Sequence, residues 1–467
     1  MDEKKLPLYI LIVVALANFS TAFTGSSVSI ALTSIGAFFS TAAVPISGVV
    51  QNWVATSYLL STAIFAVPFA KVAEKIGLKK LFDYGLLIFI ISSILSALAP
   101  TIEFLIFFRI LTGIGGAMLY VTGLTIITRA LPPEKRGQGI GISISSVYIG
   151  LSLAPVISGF LTQNIGWQSI FVFLIPFTIL ALIISRLYIK SEWLTENMGK
   201  FDFKGSLLYA FGILLFLYGF TIIKQTMGVI LCVIGVVLLV VFTWWELRVK
   251  EPVFEMKLFK NKTFTFSSLA ALVSYMATFA ITYVLSYHLQ YINALSPQIT
   301  GIILVVQPVM MACVAPIAGR LSDRIIPQRL AAVGMSLISV GMILLIFLSA
   351  DTPIWYIIIS IFIIGIGVGL FSSPNTNAIM SSVHYKYASA ASATVSTMRV
   401  IGQTFSIGIF TVLITLFMGF LPFVEKYYPL LMKSSQVMCI ICAVFCILSI
   451  AFSLFGSNEA QKNRNPQ

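Results

Sequence analysis

Ala70-Lys71-Val72-Ala73-Glu74-Lys75-Ile76-Gly77-Leu78-Lys79-Lys80-Leu81 is a short basic stretch set between long apolar runs. No charged residue lies between Lys5 and Lys71; then Lys71, Glu74, Lys75, Lys79 and Lys80 follow in quick succession. The stretch has an echo about 250 residues later: Gly319-Arg320-Leu321-Ser322-Asp323-Arg324-Ile325-Ile326-Pro327-Gln328-Arg329-Leu330. Base falls on base at 71/320, 75/324 and 80/329, and acid falls on acid at 74/323. A hydrophilic loop that recurs in both halves of an apolar chain is the pattern of a duplicated membrane transporter.

Composition agrees. Of 467 residues, 58% are hydrophobic and 10% charged, against about 25% charged in a soluble domain. The chain therefore reads as an all-α integral membrane protein. Its net charge of +13 resides in loops between apolar runs, which assigns it to topology and anionic membrane lipid rather than to nucleic acid. Cys232, Cys313, Cys439, Cys442 and Cys446 all lie in apolar runs. Cys439 and Cys442 have redox or zinc spacing, but no other ligand stands near, so they read as apolar filler with no metal. Met1-Asp2-Glu3-Lys4-Lys5 leads into an apolar run far longer than a signal core, which predicts a retained span.

A span needs about 20 apolar residues. Residues 6–70 hold two, broken near Ser40–Ser47; single spans follow near 82–99 and 103–129; residues 137–185 hold two more. Single spans near 205–223 and 225–246 precede a pair in 263–319, broken at Ser296-Pro297. Four more lie near 329–349, 353–382, 388–420 and 434–456, which makes fourteen. With an even count, both termini share a side. That side carries 24 Lys and Arg residues against 3 opposite, with Arg109 and Arg399 inside spans. The imbalance predicts cytoplasmic termini. Gly113-Ile114-Gly115-Gly116 in span 4 is echoed by Gly365-Ile366-Gly367-Val368-Gly369 in span 12. Spans 7 and 8 then read as an insertion between two six-helix bundles: 1–190 the first bundle, 191–262 the two additional helices with their linkers, 263–467 the second bundle and a short tail.

These features resemble the major facilitator superfamily, in its fourteen-span drug:proton antiporter branch, over nearly the whole chain. The basic stretch is similar to the family's Gly-x-Leu-Ala-Asp-Arg-x-Gly-Arg-Lys loop, with Ala70 for the first Gly and Glu74 for the Asp. Leu105-x-x-x-Arg109-x-x-x-Gly113-x-Gly115 resembles the span 4 motif, and Gly141, Gly150, Ala154-Pro155 and Ser158-Gly159 resemble the span 5 antiporter motif. The resemblance implies two parallel bundles working by alternating access. It also implies export of small amphipathic or toxic compounds across the plasma membrane in exchange for protons. No paired carboxylates, metal cluster or nucleophile with a base falls within the spans, so no enzyme activity and no cofactor are expected. One departure stands out: Thr24 occupies the place where the branch carries a span 1 Asp, and all sixteen acids lie in loops or near span ends. The alternative reading is a facilitator or importer of a small metabolite without proton coupling, and an anionic metabolite suits a cavity that offers two arginines and no carboxylate.

Several residues are candidates for chemistry. Arg109 lies well inside a span, which costs about 2.5–3.5 kcal/mol on insertion scales; it either faces a polar cavity or snorkels to the outer surface. Arg399, deeper still, either lines the cavity or bonds backbone carbonyls. The other cavity candidates on the spans that the family uses are Asn18, Thr24, Tyr58, Tyr120 and Tyr148 in the first half. In the second they are Tyr283, Tyr287, Gln307, Asn375 and Gln403. Phe279, Tyr283, Tyr287 and Gln290 share a helical face, which fits packing as well as a ligand box. Lys71, Glu74, Lys75, Gly77 and Lys80, with Gly319, Arg320, Asp323, Arg324 and Arg329, are gating candidates. Their acids are placed to pair with bases or helix N-termini in one access state. Gly150, Pro155 and Gly159 permit close packing and bending of span 5. His288, near the outer end of span 9, reads as a surface residue. No glycine-rich run is followed by Lys-Ser or Lys-Thr, so no nucleotide loop is expected.

Overall fold

The computed structural model describes residues 6–40, 46–193, 202–223, 225–249, 256–322, 324–383, 388–419, 421 and 423–464. Each long apolar run forms a helix, because in lipid every backbone amide must find its partner within its own segment. Fourteen helices among the described residues are long and apolar enough to cross a membrane. The first eight are α1 Leu6–Phe39, α2 Gly48–Ala73, α3 Leu78–Ala97, α4 Ile102–Ala130, α5 Gly141–Asn164, α6 Ser169–Tyr188, α7 Phe203–Phe220 and α8 Thr226–Glu246. The rest are α9 Lys262–Ile292, α10 Pro297–Ser322, α11 Pro327–Ile346, α12 Ile354–Ser381, α13 Thr394–Phe417 and α14 Glu425–Asn458. These are the spans that hydropathy and turn residues predict.

The chain forms two compact units, divided near residues 254 and 255, with Ser47–Val49 counted in the second. In the first unit α1 packs on α4, α5 and α6, and α3 packs on α4 and α6. In the second, α9 packs on α12, α13 and α14, and α11 packs on α12 and α14. Adding eight to each helix number of the first pattern gives the second, so the echo seen in the basic loops extends to the packing. The pair α7 and α8 pack closely together and sit within the first unit. The Tyr209 hydroxyl on α7 donates to the Ala63 carbonyl on α2 at 3.0 Å.

Glycines and hydroxyls set the helix contacts. A carbon on Gly150 would lie 2.7 Å from the Phe19 carbonyl oxygen, so α5 approaches α1 at a distance only glycine allows. Span α9 is broken: an α-helix runs to Thr278, a second from Ile281 to Tyr287, and a π-helical turn occupies His288–Ile292. The Ser406 hydroxyl of α13 accepts the freed amide of Ala280 at 3.0 Å.

Candidate transport site

In the first unit the span 4 motif works on α2. Arg109 is only 1% exposed. Its Nε donates to the Val54 carbonyl at 3.1 Å. Its guanidinium lies 4.5 Å from the centre of the Tyr58 ring and 5.7 Å from that of Phe171. Arg109 therefore does not snorkel; its charge is met by a carbonyl dipole and ring faces. One turn on, a side chain at Gly113 would strike Ser61 Oγ and the Tyr58 carbonyl. The Arg-x-x-x-Gly spacing thus puts a cation and a gap on the same face, and α2 fills the gap. Thr62 ties the contact by donating to the carbonyls of Tyr58 at 2.7 Å and Gly113 at 3.1 Å. Tyr58 reaches back to α1, donating from its hydroxyl to the Thr21 carbonyl at 3.1 Å.

Asn18 joins α1 to α5 through Ser143 Oγ at 2.7 Å. Thr24 is buried, at 2% exposure, while Tyr120 and Tyr148 are half-buried. Pro155 and Gly159 are buried within α5.

At the end of this unit that carries the basic loop, a set of charges emerges that sequence reading missed. Asp83 on α3 is 3% exposed. It accepts from Arg186 Nε at 3.0 Å, Lys79 Nζ at 3.5 Å and the Ser185 hydroxyl at 2.5 Å. Beyond α6, Glu192 takes the backbone amides of Lys79 at 2.9 Å and Lys80 at 3.2 Å. It caps the positive end of α3 with a carboxylate. Gly77 turns the chain with φ +110°, and a side chain there would collide with Glu192. The i, i+4 spacing of Lys79 and Asp83 was the available signal; nothing in it pointed to Arg186. Of the gating candidates, Lys71 is half-buried and Lys75 and Lys80 are exposed. The Glu74 side chain and all of Asp323 lie outside the described residues. Gly319 is half-buried, and Arg320, Arg324 and Arg329 are exposed.

In the second unit, Arg399 Nε donates to the Tyr275 hydroxyl at 3.3 Å, with the guanidinium 5.6 Å from that ring's centre. Asn375 donates from Nδ2 to the Ser267 carbonyl at 3.1 Å. Gln307 and Gln403 are half-buried. Tyr283 and Tyr287 are fully buried. Tyr283 pairs with Phe279 at 5.8 Å, and Tyr287 with Phe423 at 5.1 Å and Phe410 at 6.0 Å. These rings pack among helices of their own bundle. His288 overturns its expectation: it is 1% exposed, not superficial. The π-helical turn carries it, and a lone polar residue near a span end gives no sign of such a turn. Among the described residues no cluster of three or more His, Cys, Asp or Glu side chains could hold a metal ion.

The model of the Major Facilitator Superfamily matches residues 10–407 and, again, 267–467. The chain belongs to the major facilitator superfamily. The second match falls on the repeat that the helix packing displays. A riboflavin transporter, RibZ, of Clostridioides difficile is 28% identical over 95% of this chain and 97% of its own. The multidrug resistance protein Stp of Mycobacterium tuberculosis (strain CDC 1551 / Oshkosh) is 28% identical over 76% of this chain, which spans 66% of Stp. Multidrug resistance protein 3 of Bacillus subtilis is 27% identical over 77% of this chain and 71% of its own. A bacterial homologue of the human lysosomal transporter Spinster, solved inward-facing and unoccupied, matches with TM-score 0.69 over 100% of this chain and 99% of its own, at 17% identity. That likeness shows the fold. The protein is a multi-pass membrane transporter of the secondary type and not an enzyme.

Proposed function

We propose that this major facilitator protein moves small neutral or anionic aromatic compounds, planar heteroaromatic metabolites of the riboflavin kind foremost, without proton exchange. One observation carries the reading: no carboxylate stands in the middle of a described span. Asp83 is held by two bases, Glu103 lies in the first turn of α4 and Glu246 ends α8. An organic cation has no counter-charge within such spans, and a proton has no obvious carrier. Arg109, buried against Tyr58, and Arg399, half-buried against Tyr275, favour electron-rich rings and anionic groups. The end-to-end match with RibZ supports the same substrate class. The second reading, export of amphipathic drugs, is supported by the multidrug relatives. Both readings take the basic loops as cytoplasmic.

Binding separates them. Purified protein is titrated with riboflavin and with a cationic and a neutral dye, following tryptophan quenching. The first reading predicts saturable quenching by riboflavin, competed by other planar neutral or anionic heteroaromatics, and none by the cationic dye. Preference for the cationic dye sinks it.

A further inference from the structure

Five buried oxygens from four helices of the second unit have no hydrogen-bond partner among the described residues. They are Ser267 Oγ on α9, Gln328 Oε1 in the first turn of α11, Asn375 Oδ1 on α12, and Ser453 and Ser457 Oγ on α14. None of the five residues is more than 3% exposed. All five residues fall toward the helix ends beside the second basic loop: Ser267 near the start of α9, Gln328 at the start of α11, Asn375 near the end of α12, and Ser453 and Ser457 near the end of α14. Asn375 Nδ2 is committed to the Ser267 carbonyl at 3.1 Å. A carbon placed on Gly456 would lie 3.7 Å from Ser267 Oγ and 3.6 Å from Gln328 Cγ. Ser453 and Ser457, one turn apart on α14, flank that glycine, and α9 and α11 both pack on α14. Four residues before Ser453, the Ser449 hydroxyl donates to the Ala270 carbonyl at 3.0 Å, fixing α14 against α9.

We propose that these helices hold a monovalent alkali-metal cation. The two carboxamide oxygens can only accept, and each serine hydroxyl presents lone pairs. An anion would face those lone pairs. A divalent ion would demand carboxylates, and the set has none. A monovalent cation can exchange its hydration shell for neutral oxygens. Lys262 and Arg329 belong to the first turns of α9 and α11. Their field keeps the affinity low, as suits an ion that must bind and leave in each cycle. The site goes beyond the substrate reading, and its test is a binding measurement that no substrate enters.

The intact protein in detergent is melted in NaCl, KCl or LiCl, each exchanged against choline chloride at constant ionic strength. One alkali cation is expected to raise Tm saturably by a few degrees. Paired replacement of Ser453 and Ser457 by Ala should leave Tm in choline close to the parent's and weaken the apparent affinity at least about tenfold. Gln328→Glu, which keeps the shape and adds a carboxylate, should tighten it by a similar factor, a gain that no folding defect imitates. A Tm that is equal in all four chlorides overturns the proposal. So does a cation response that neither the serine replacements nor Gln328→Glu alters.

Discussion

Arg109 shows what one residue can organise. Its Nε bond to Val54 and its stacking over Tyr58 use the flat, forked guanidinium, which lysine cannot reproduce. Arg109→Lys should fold, held by the remaining Thr62–Gly113 tie between α2 and α4, but lose at least about tenfold in substrate flux; flux by reconstituted protein, beside a gel-filtration profile, checks this. Asp83→Asn removes the charge that faces Arg186 and Lys79 and should cost about 1.5–3 kcal/mol, read as a lower Tm. His288 predicts the opposite sign. Both ring nitrogens are buried without a hydrogen bond among the described residues. An apolar residue of similar volume relieves that penalty, so His288→Leu should match or exceed the parent's Tm. A fall of several degrees would contradict a packing role. The sequence showed Arg109 clearly, because a charge inside a span is rare and Gly113 follows it by one turn. It hid the Asp83 and Arg186 pairing, since no periodicity connects residues so far apart in the chain. It also hid the burial of His288, which depends on a π-helical turn.

At the scale of elements, two joints carry testable weight. The first is the strap after α6, where Glu192 caps α3. Glu192→Ala should cost about 0.5–2 kcal/mol. Gly77→Ala should cost more, because it adds left-handed strain to a collision with Glu192. The pair is checked by melting both variants side by side. The second is the break in α9. Ser406→Ala deprives the Ala280 amide of its acceptor and should lower stability by about 1–3 kcal/mol, read as a lower Tm of the purified protein. Apolar runs, Pro and basic loops were enough to locate every span. The break in α9 was not foreseeable, because its partner Ser406 lies four spans later and looks like any other helix serine.

Across the whole molecule, the duplication is legible first as charge order in two loops, then as one packing scheme used twice, and last as a family model that matches the chain twice. Fourteen spans with a strongly one-sided distribution of bases predict where soluble reagents reach. Cysteines introduced at Lys75 and Arg324 should react only from the cytoplasm, and one at Lys426 only from outside. Labelling of position 75 from outside would overturn the topology.

The proposed transport of a neutral or anionic aromatic solute requires no exchanged proton. Sealed proteoliposomes with and without an imposed pH gradient test this directly, using riboflavin and a cationic dye in parallel. The prediction is saturable riboflavin flux whose rate and end point ignore the pH gradient, and no uphill movement of the dye. Uphill movement of the dye that runs only with the gradient, and dissipates it, would contradict the account and establish proton-driven drug export.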